Sequence, residues 1–95
     1  MQHVSAEMKV RGGKFVRVRI AHEGGVVFEI HFTGDFFVHP EEGLESIERS
    51  LVGLRVPSTV ENVERILNEV LANERITVIG FSSADLSNLV AGALA

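Results

Sequence analysis

Residues 34–42, GDFFVHPEE, separate two stretches in which apolar residues repeat with different periods. Upstream, apolar and polar side chains alternate; downstream, the apolar ones recur about every 3.6 residues. The first pattern belongs to a strand half-buried in a sheet, the second to an amphipathic helix. The segment is therefore read as the joint where a sheet ends and a helical layer begins.

Working back from the joint, residues 26–33 set Phe28, Ile30 and Phe32 against Glu29, His31 and Thr33. Residues 15–21 set Val16, Val18 and Ile20 against Arg17 and Arg19, and residues 4–11 set Val4, Ala6, Met8 and Val10 against Ser5, Glu7, Lys9 and Arg11. Partners directly opposite in an antiparallel pair share a face, so apolar must meet apolar. A two-residue Gly24-Gly25 loop would place Ile20 opposite Glu29 and Val18 opposite His31, which mixes the faces. A three-residue loop, Glu23-Gly24-Gly25, pairs Ile20 with Phe28, Val18 with Ile30 and Val16 with Phe32. The same reasoning at Gly12-Gly13-Lys14 pairs Val10 with Val16 and Met8 with Val18. The expectation is a three-stranded antiparallel meander with one apolar face.

Working forward, Pro40 suits the first turn of a helix and Glu41 and Glu42 suit its positive end. Leu44, Ile47 and Leu51 then share the inner face, Glu45, Glu48 and Arg49 lie outside, and Gly53 provides a stop. Ser58-Thr59-Val60-Glu61 matches a capping box with Ser58 as the cap, ahead of a stripe of Val60, Val63, Ile66, Leu67, Val70 and Leu71. Ile76-Thr77-Val78-Ile79 reads as a short extended run. Ser82 or Ser83 caps a last helix carrying Leu86, Leu89, Val90 and Ala93. The order is βββααα, and helices with single apolar stripes must cover the apolar sheet face, giving a two-layer α+β fold in one domain over residues 1–95.

Composition excludes several chemistries. There is no cysteine, which removes disulfides, thiolate zinc, thiol nucleophiles and cysteine-held iron-sulfur clusters. A net charge of −4 argues against nucleic acid. The one basic concentration, Lys9, Arg11, Lys14, Arg17 and Arg19, alternates with apolar residues as a solvated sheet face would. No apolar run approaches the roughly 20 residues of a membrane span, and MQHVSAEMKVRGG lacks the apolar core of a signal peptide, so a cytoplasmic protein without membrane association is expected.

No catalytic constellation is legible. Gly12-Gly13-Lys14 lacks the spacing of a phosphate loop and does not run from strand into helix. His3, His22, His31 and His39 lack the spacing and companion carboxylates of a metal site. Glu41, Glu42, Glu45 and Glu48 read as a solvated helix face, and Asp35 as a turn residue bonding to backbone. Phe36 and Phe37 differ: adjacent residues in an extended segment point to opposite sides, so one plugs the corner between sheet and helix while the other is left at an edge or offered to a partner.

Two stretches, KVRGGKFVRVRI and TGDFFVHPEEGLESIERSLVG, resemble the accessory C-terminal domain of lipoate-protein ligases, and the resemblance extends over roughly residues 8–94. A free chain of this kind is similar to the separate small subunit of a split ligase. The resemblance implies a βββααα fold like that of iron-sulfur scaffold proteins. It implies a partner, the catalytic subunit, which holds lipoate, ATP and Mg, forms lipoyl-AMP and transfers the lipoyl group to lysines of acceptor domains. It implies that this chain binds no cofactor alone, is not an enzyme on its own, and is needed chiefly for activation. Gly12, Gly13 and Lys14 match the family's glycine-glycine-lysine turn; Gly34, Asp35, Phe36, Phe37, Pro40 and Glu41 match its second motif. No catalytic role is carried over. Gly12, Gly13, Lys14, Asp35, Phe36 and Phe37 are the candidates for contact with the partner or adenylate, with the Lys14 ammonium directed to phosphate; Gly34, Pro40 and Glu41 are structural. Gly43 stands where the family often has a better helix former, a cost of about 1 kcal/mol beyond a first turn. The alternative is a non-catalytic interaction module or homodimer, sharing only the fold, that uses an uncovered sheet edge or the Phe36-Phe37 corner.

Overall fold

A computed structural model of the chain describes residues 1–9, 12 and 14–95. Three strands come first: β1 (Gln2–Lys9), β2 (Phe15–Glu23) and β3 (Val26–Gly34). A short strand β4 (Phe37–His39) leads into α1 (Gly43–Ser50) and α2 (Val60–Asn73), and β5 (Thr77–Ile79) precedes α3 (Ser83–Ala93). The long strands form an antiparallel sheet in the order β1-β2-β3, as the meander expected from alternation requires. All three helices lie on its apolar face. Val16, Val18, Ile20, Ile30 and Phe32 from the sheet meet Ile47, Leu51, Val63, Leu67, Leu86, Leu89 and Val90 in one core. Arg17, Arg19, His31 and Thr33 occupy the opposite, exposed face.

The register differs from the expected one in both hairpins. Between β2 and β3 the loop is the two-residue Gly24-Gly25, with Glu23 opposite Val26 and both glycines at positive φ (60° and 76°). Such a tight turn fits the right-handed twist of the strands. The parity it breaks is restored by a bulge between Ala21 and His22, after which Ile20 faces Ile30, Val18 faces Phe32 and Val16 faces Gly34. One extra residue on β3 shifts every later side chain to the other face. Val27 thus takes the core position expected of Phe28, which is 49% exposed. Between β1 and β2, Met8 faces Val16 and Ala6 faces Val18, two residues from the expected pairing, so apolar still meets apolar. Strand β1 ends at Lys9 and β2 begins at Phe15; the expected placement of Val10 and Arg11 in the strand lies outside the described residues.

The helix starts also move. Pro40 does not open α1: residues 40–42 form a turn in which Gly43 N–H donates to the Pro40 carbonyl at 2.9 Å, and the helix begins at Gly43. Residues 37–39 are held in β4 by pairing with β5, a second antiparallel sheet that periodicity did not reveal. The chain must turn before it can coil. The cap of α2 is Thr59, whose Oγ1 accepts from Asn62 N–H at 3.1 Å; Ser58 Oγ instead accepts from the Asn62 side chain at 3.2 Å. At α3 Ser82 is the cap, with a reciprocal capping box to Asp85. Gly53, at φ 92°, follows α1 as expected.

Strand β3 would leave a bare edge, and two devices cover it. Residues 53–56 run alongside, with Val27 N–H donating to Leu54 O (2.9 Å), Gly53 N–H to Val27 O (2.8 Å) and Val56 N–H to Gly25 O (2.9 Å). Glu48, read from sequence as solvent-facing, is instead mostly buried and accepts from Phe32 N–H at 2.8 Å. It folds over the sheet edge because that N–H has no strand partner, and its other oxygen lies 3.7 Å from His31 Nδ1. Removing it leaves a part-buried donor unpaired, at a cost of about 1–3 kcal/mol. Glu48→Ala is accordingly expected to lower the melting temperature by roughly 5–15 °C in calorimetry. Glu45→Ala, one turn earlier and exposed, is expected to shift it by only about 2 °C.

Candidate functional site

The site is built where the first strand connection meets the end of β3. Gly34 lies opposite Val16 at φ 146°, and a Cβ added to it would fall 2.2 Å from the Phe15 carbonyl oxygen. That same oxygen accepts from Asp35 N–H at 2.7 Å. Asp35 therefore leaves the sheet in a fixed direction, held by its backbone N–H and not by the side-chain-to-backbone bond expected of a turn aspartate. Across the turn, Gly80 at φ 117° brings its backbone against the segment, with a Cβ position 3.1 Å from Asp35 O and 3.3 Å from Phe36 Cβ.

The two phenylalanines part company as expected for neighbours in an extended segment. Phe36 turns inward and meets Phe81 edge-on, with ring centroids 6.0 Å apart and planes at 80°. Phe37, the first residue of β4, turns outward and is 72% exposed. Directly opposite it on β5 stands Ile79, itself 59% exposed. Val38 and Val78, the next pair, face the core, and His39 and Thr77 face out again. The β4-β5 ribbon thus carries apolar residues on both faces.

Gly12, Lys14, Gly34, Asp35, Phe36 and Phe37 line one open depression. All but Gly34, which was assigned a structural part, are contact candidates singled out from sequence, and the structure brings them together although Gly12 and Lys14 are distant in sequence from residues 34–37. Gly13 lies outside the described residues. Pro40 and Glu41 are at the far end of β4, in the turn before α1, and do not line the depression. Of the basic series, Arg17 is held by Glu7, with Nε at 2.8 Å from the carboxylate, and stacks 5.9 Å from the Phe15 ring centre. Lys14 is exposed at the depression's rim and forms no ion pair among the described residues. Among those residues no three His, Asp or Glu side chains converge as metal ligands. Among the described residues no helix is long and apolar enough to cross a membrane.

Residues 3–90 match the family described as bacterial lipoate protein ligase C-terminus. The chain belongs to that family. Among solved structures, this lipoate ligase C-terminal domain is similar to a chain from a Thermoplasma acidophilum study of an archaeal lipoylation system, comprising a bi-partite lipoate protein ligase and its E2 lipoyl domain. The two superpose with a TM-score of 0.74 at 25% identity, over 94% of each chain. No curated protein matches the chain significantly.

Ile79, Gly80 and Phe81 pack against Phe37, Phe36 and the Asp35 backbone beside the candidate site and were not singled out from sequence. The signal present was slight: the run 76–79 is apolar and extended, yet nothing local says that it pairs with residues 37–39. The inward and outward phenylalanines differ in what they stabilise. Phe36→Ala is expected to cost about 2–3 kcal/mol by urea unfolding, through lost burial and the void beside Phe81. Phe37→Ala is expected to change stability by less than about 0.5 kcal/mol.

Proposed function

We propose that this chain is the accessory subunit of a split lipoate-protein ligase, acting with a separate catalytic subunit in the cytoplasm. The observations that support this reading are the family match over residues 3–90 and the superposition, with a TM-score of 0.74, on a chain from a study of a bi-partite lipoate protein ligase. On this reading the catalytic subunit holds lipoate, ATP and Mg, and this chain is required with it for activation. In that step a lipoate carboxylate oxygen attacks the α-phosphorus of ATP, and pyrophosphate leaves. The resulting lipoyl-AMP then loses AMP when an acceptor lysine amine attacks its carbonyl carbon. Acceptor domains are reached only through the complex.

The depression gives this chain a part in the first step. Charge accumulates on phosphate oxygens as pyrophosphate departs, and a cation placed nearby stabilises it. Lys14 stands at an open rim with no competing carboxylate within ion-pair distance among the described residues. Its ammonium is free to meet a phosphate carried by the partner, while Asp35 is fixed by its backbone and Phe36 by its packing.

Reconstitution tests the reading. Pyrophosphate release from lipoate and ATP by the catalytic subunit is expected to rise at least tenfold when this chain is added; equal rates with and without it would reject the accessory role. Lys14→Ala is expected to lower the activation rate at saturating chain about tenfold, equivalent to about 1.4 kcal/mol of transition-state stabilisation. An unchanged rate would remove Lys14 from the mechanism.

A further inference from the structure

We infer that Phe37 and Ile79, the directly opposed pair on the outer face of the β4-β5 ribbon, form the apolar anchor by which this chain docks on the catalytic subunit; this rests on the accessory-subunit reading. Both side chains are more than half exposed and are cross-strand partners, so they make one continuous patch. Phe28 and Val52 are also exposed but belong to the β3 bulge and the end of α1, away from the ribbon.

The ribbon holds the pair rigidly. Val38 and Val78 face the core beneath it, and Phe36 is wedged on Phe81. Gly43 and Gly80 let the ribbon lie close to its supports: a Cβ on Gly43 would stand 2.9 Å from Ile76 and 3.0 Å from Val38. An anchor already held in place loses little freedom on binding, which favours affinity.

The occupant follows from what the patch lacks. Two side chains are too few for a whole interface, which takes roughly 800 Å² per partner, but they suffice for a central hot spot seated in an apolar pocket. The enclosed apolar space lined by Phe32, Phe36, Leu44 and Phe81 lies under the ribbon, and the neighbouring open depression is edged by Lys14 and Asp35. On the accessory-subunit reading the catalytic subunit supplies the pocket, because Phe37 and Lys14 line the same depression. Phe37 also borders the depression that carries Lys14, so a partner that seats Phe37 receives the Lys14 turn in a set position. Docking and activation are thereby joined through one residue's two neighbours.

The test separates binding from rate. By isothermal titration calorimetry, Phe37→Ser and Ile79→Ser are each expected to weaken binding to the catalytic subunit by about 30-fold or more. The pyrophosphate release rate at subsaturating variant is expected to fall in proportion to the binding lost. Lys14→Ala is expected to do the reverse, lowering the saturated rate and leaving affinity within about twofold. Phe28→Ser and Val52→Ser serve as controls and are expected to bind as the native chain does. Native affinity in the Phe37 and Ile79 variants, or equal losses in the controls, would overturn the anchor. A chain that dimerises alone in analytical ultracentrifugation, and becomes monomeric with Phe37→Ser, would assign the patch to self-association and overturn it too. Failure of the underlying reading is distinct: the native chain would then neither bind the catalytic subunit nor alter its rate.

Discussion

The contact between Gly34 and the backbone of Phe15 and Val16 sets the geometry on which the rest of the site depends. A Cβ at residue 34 would lie 2.2 Å from a carbonyl oxygen and 2.8 Å from a backbone Cα, and neither atom belongs to a flexible side chain that can move aside. Any other residue would force β2 and β3 apart where Val16 is fully buried. Because the next amide donates to the same carbonyl, the chain leaves the sheet at one angle. That angle sends Phe36 into the core and Phe37 out, and it lays the end of β3 beside the Lys14 connection.

A second glycine shows packing outweighing propensity. In a helix interior glycine costs about 1 kcal/mol relative to alanine. Gly43 is the first residue of α1, where fewer backbone bonds are at stake, and a methyl group there would press on Ile76 and Val38 at 2.9–3.0 Å. Overpacking of that kind costs typically 1–3 kcal/mol. The steric term is the larger, so the residue that looks like a poor helix former is the one that lets the ribbon and helix meet. With Gly80 on the other side, close backbone approaches flank the ribbon, and the outward Phe37-Ile79 pair rests on that support.

What was legible in the sequence was periodicity: the three long strands, the α2 stripe and the change of repeat at residues 34–42 follow from how side chains are spaced along one element. Register was less accessible. The parity argument assumes an unbroken ladder, and a single bulge at Ala21-His22 makes the rejected two-residue turn consistent with an apolar face. The α2 cap moved by one residue because Ser58 and Thr59 both carry a hydroxyl, and the Asn62 side chain engages the first while its backbone engages the second. Residues 76–79 read as extended, but their pairing with residues 37–39 had no local signal, since these three-residue strands are brought together by the packing of two intervening helices. Family resemblance located the motif residues, but the outward choice of Phe37 over Phe36 and the presence of Ile79 depend on that long-range pairing.

The two open margins of the molecule differ in kind. Strand β3 is closed off by residues 53–56 and by the Glu48 carboxylate, which leaves β1 as the strand without a partner on its outer side among the described residues. Its exposed side chains include Ser5, Glu7 and Lys9, and charge along an edge opposes the addition of another strand. The ribbon, by contrast, exposes apolar side chains on a short, rigid support, with a lysine at the adjoining rim. Backbone pairing at β1 would be tolerant of sequence, whereas an aromatic and a branched aliphatic residue held at fixed spacing select for shape. The inferred anchor at the ribbon is thus a consequence of packing: stability requires Phe36 and Val38 to face in, and the strand's alternation then obliges Phe37 to face out.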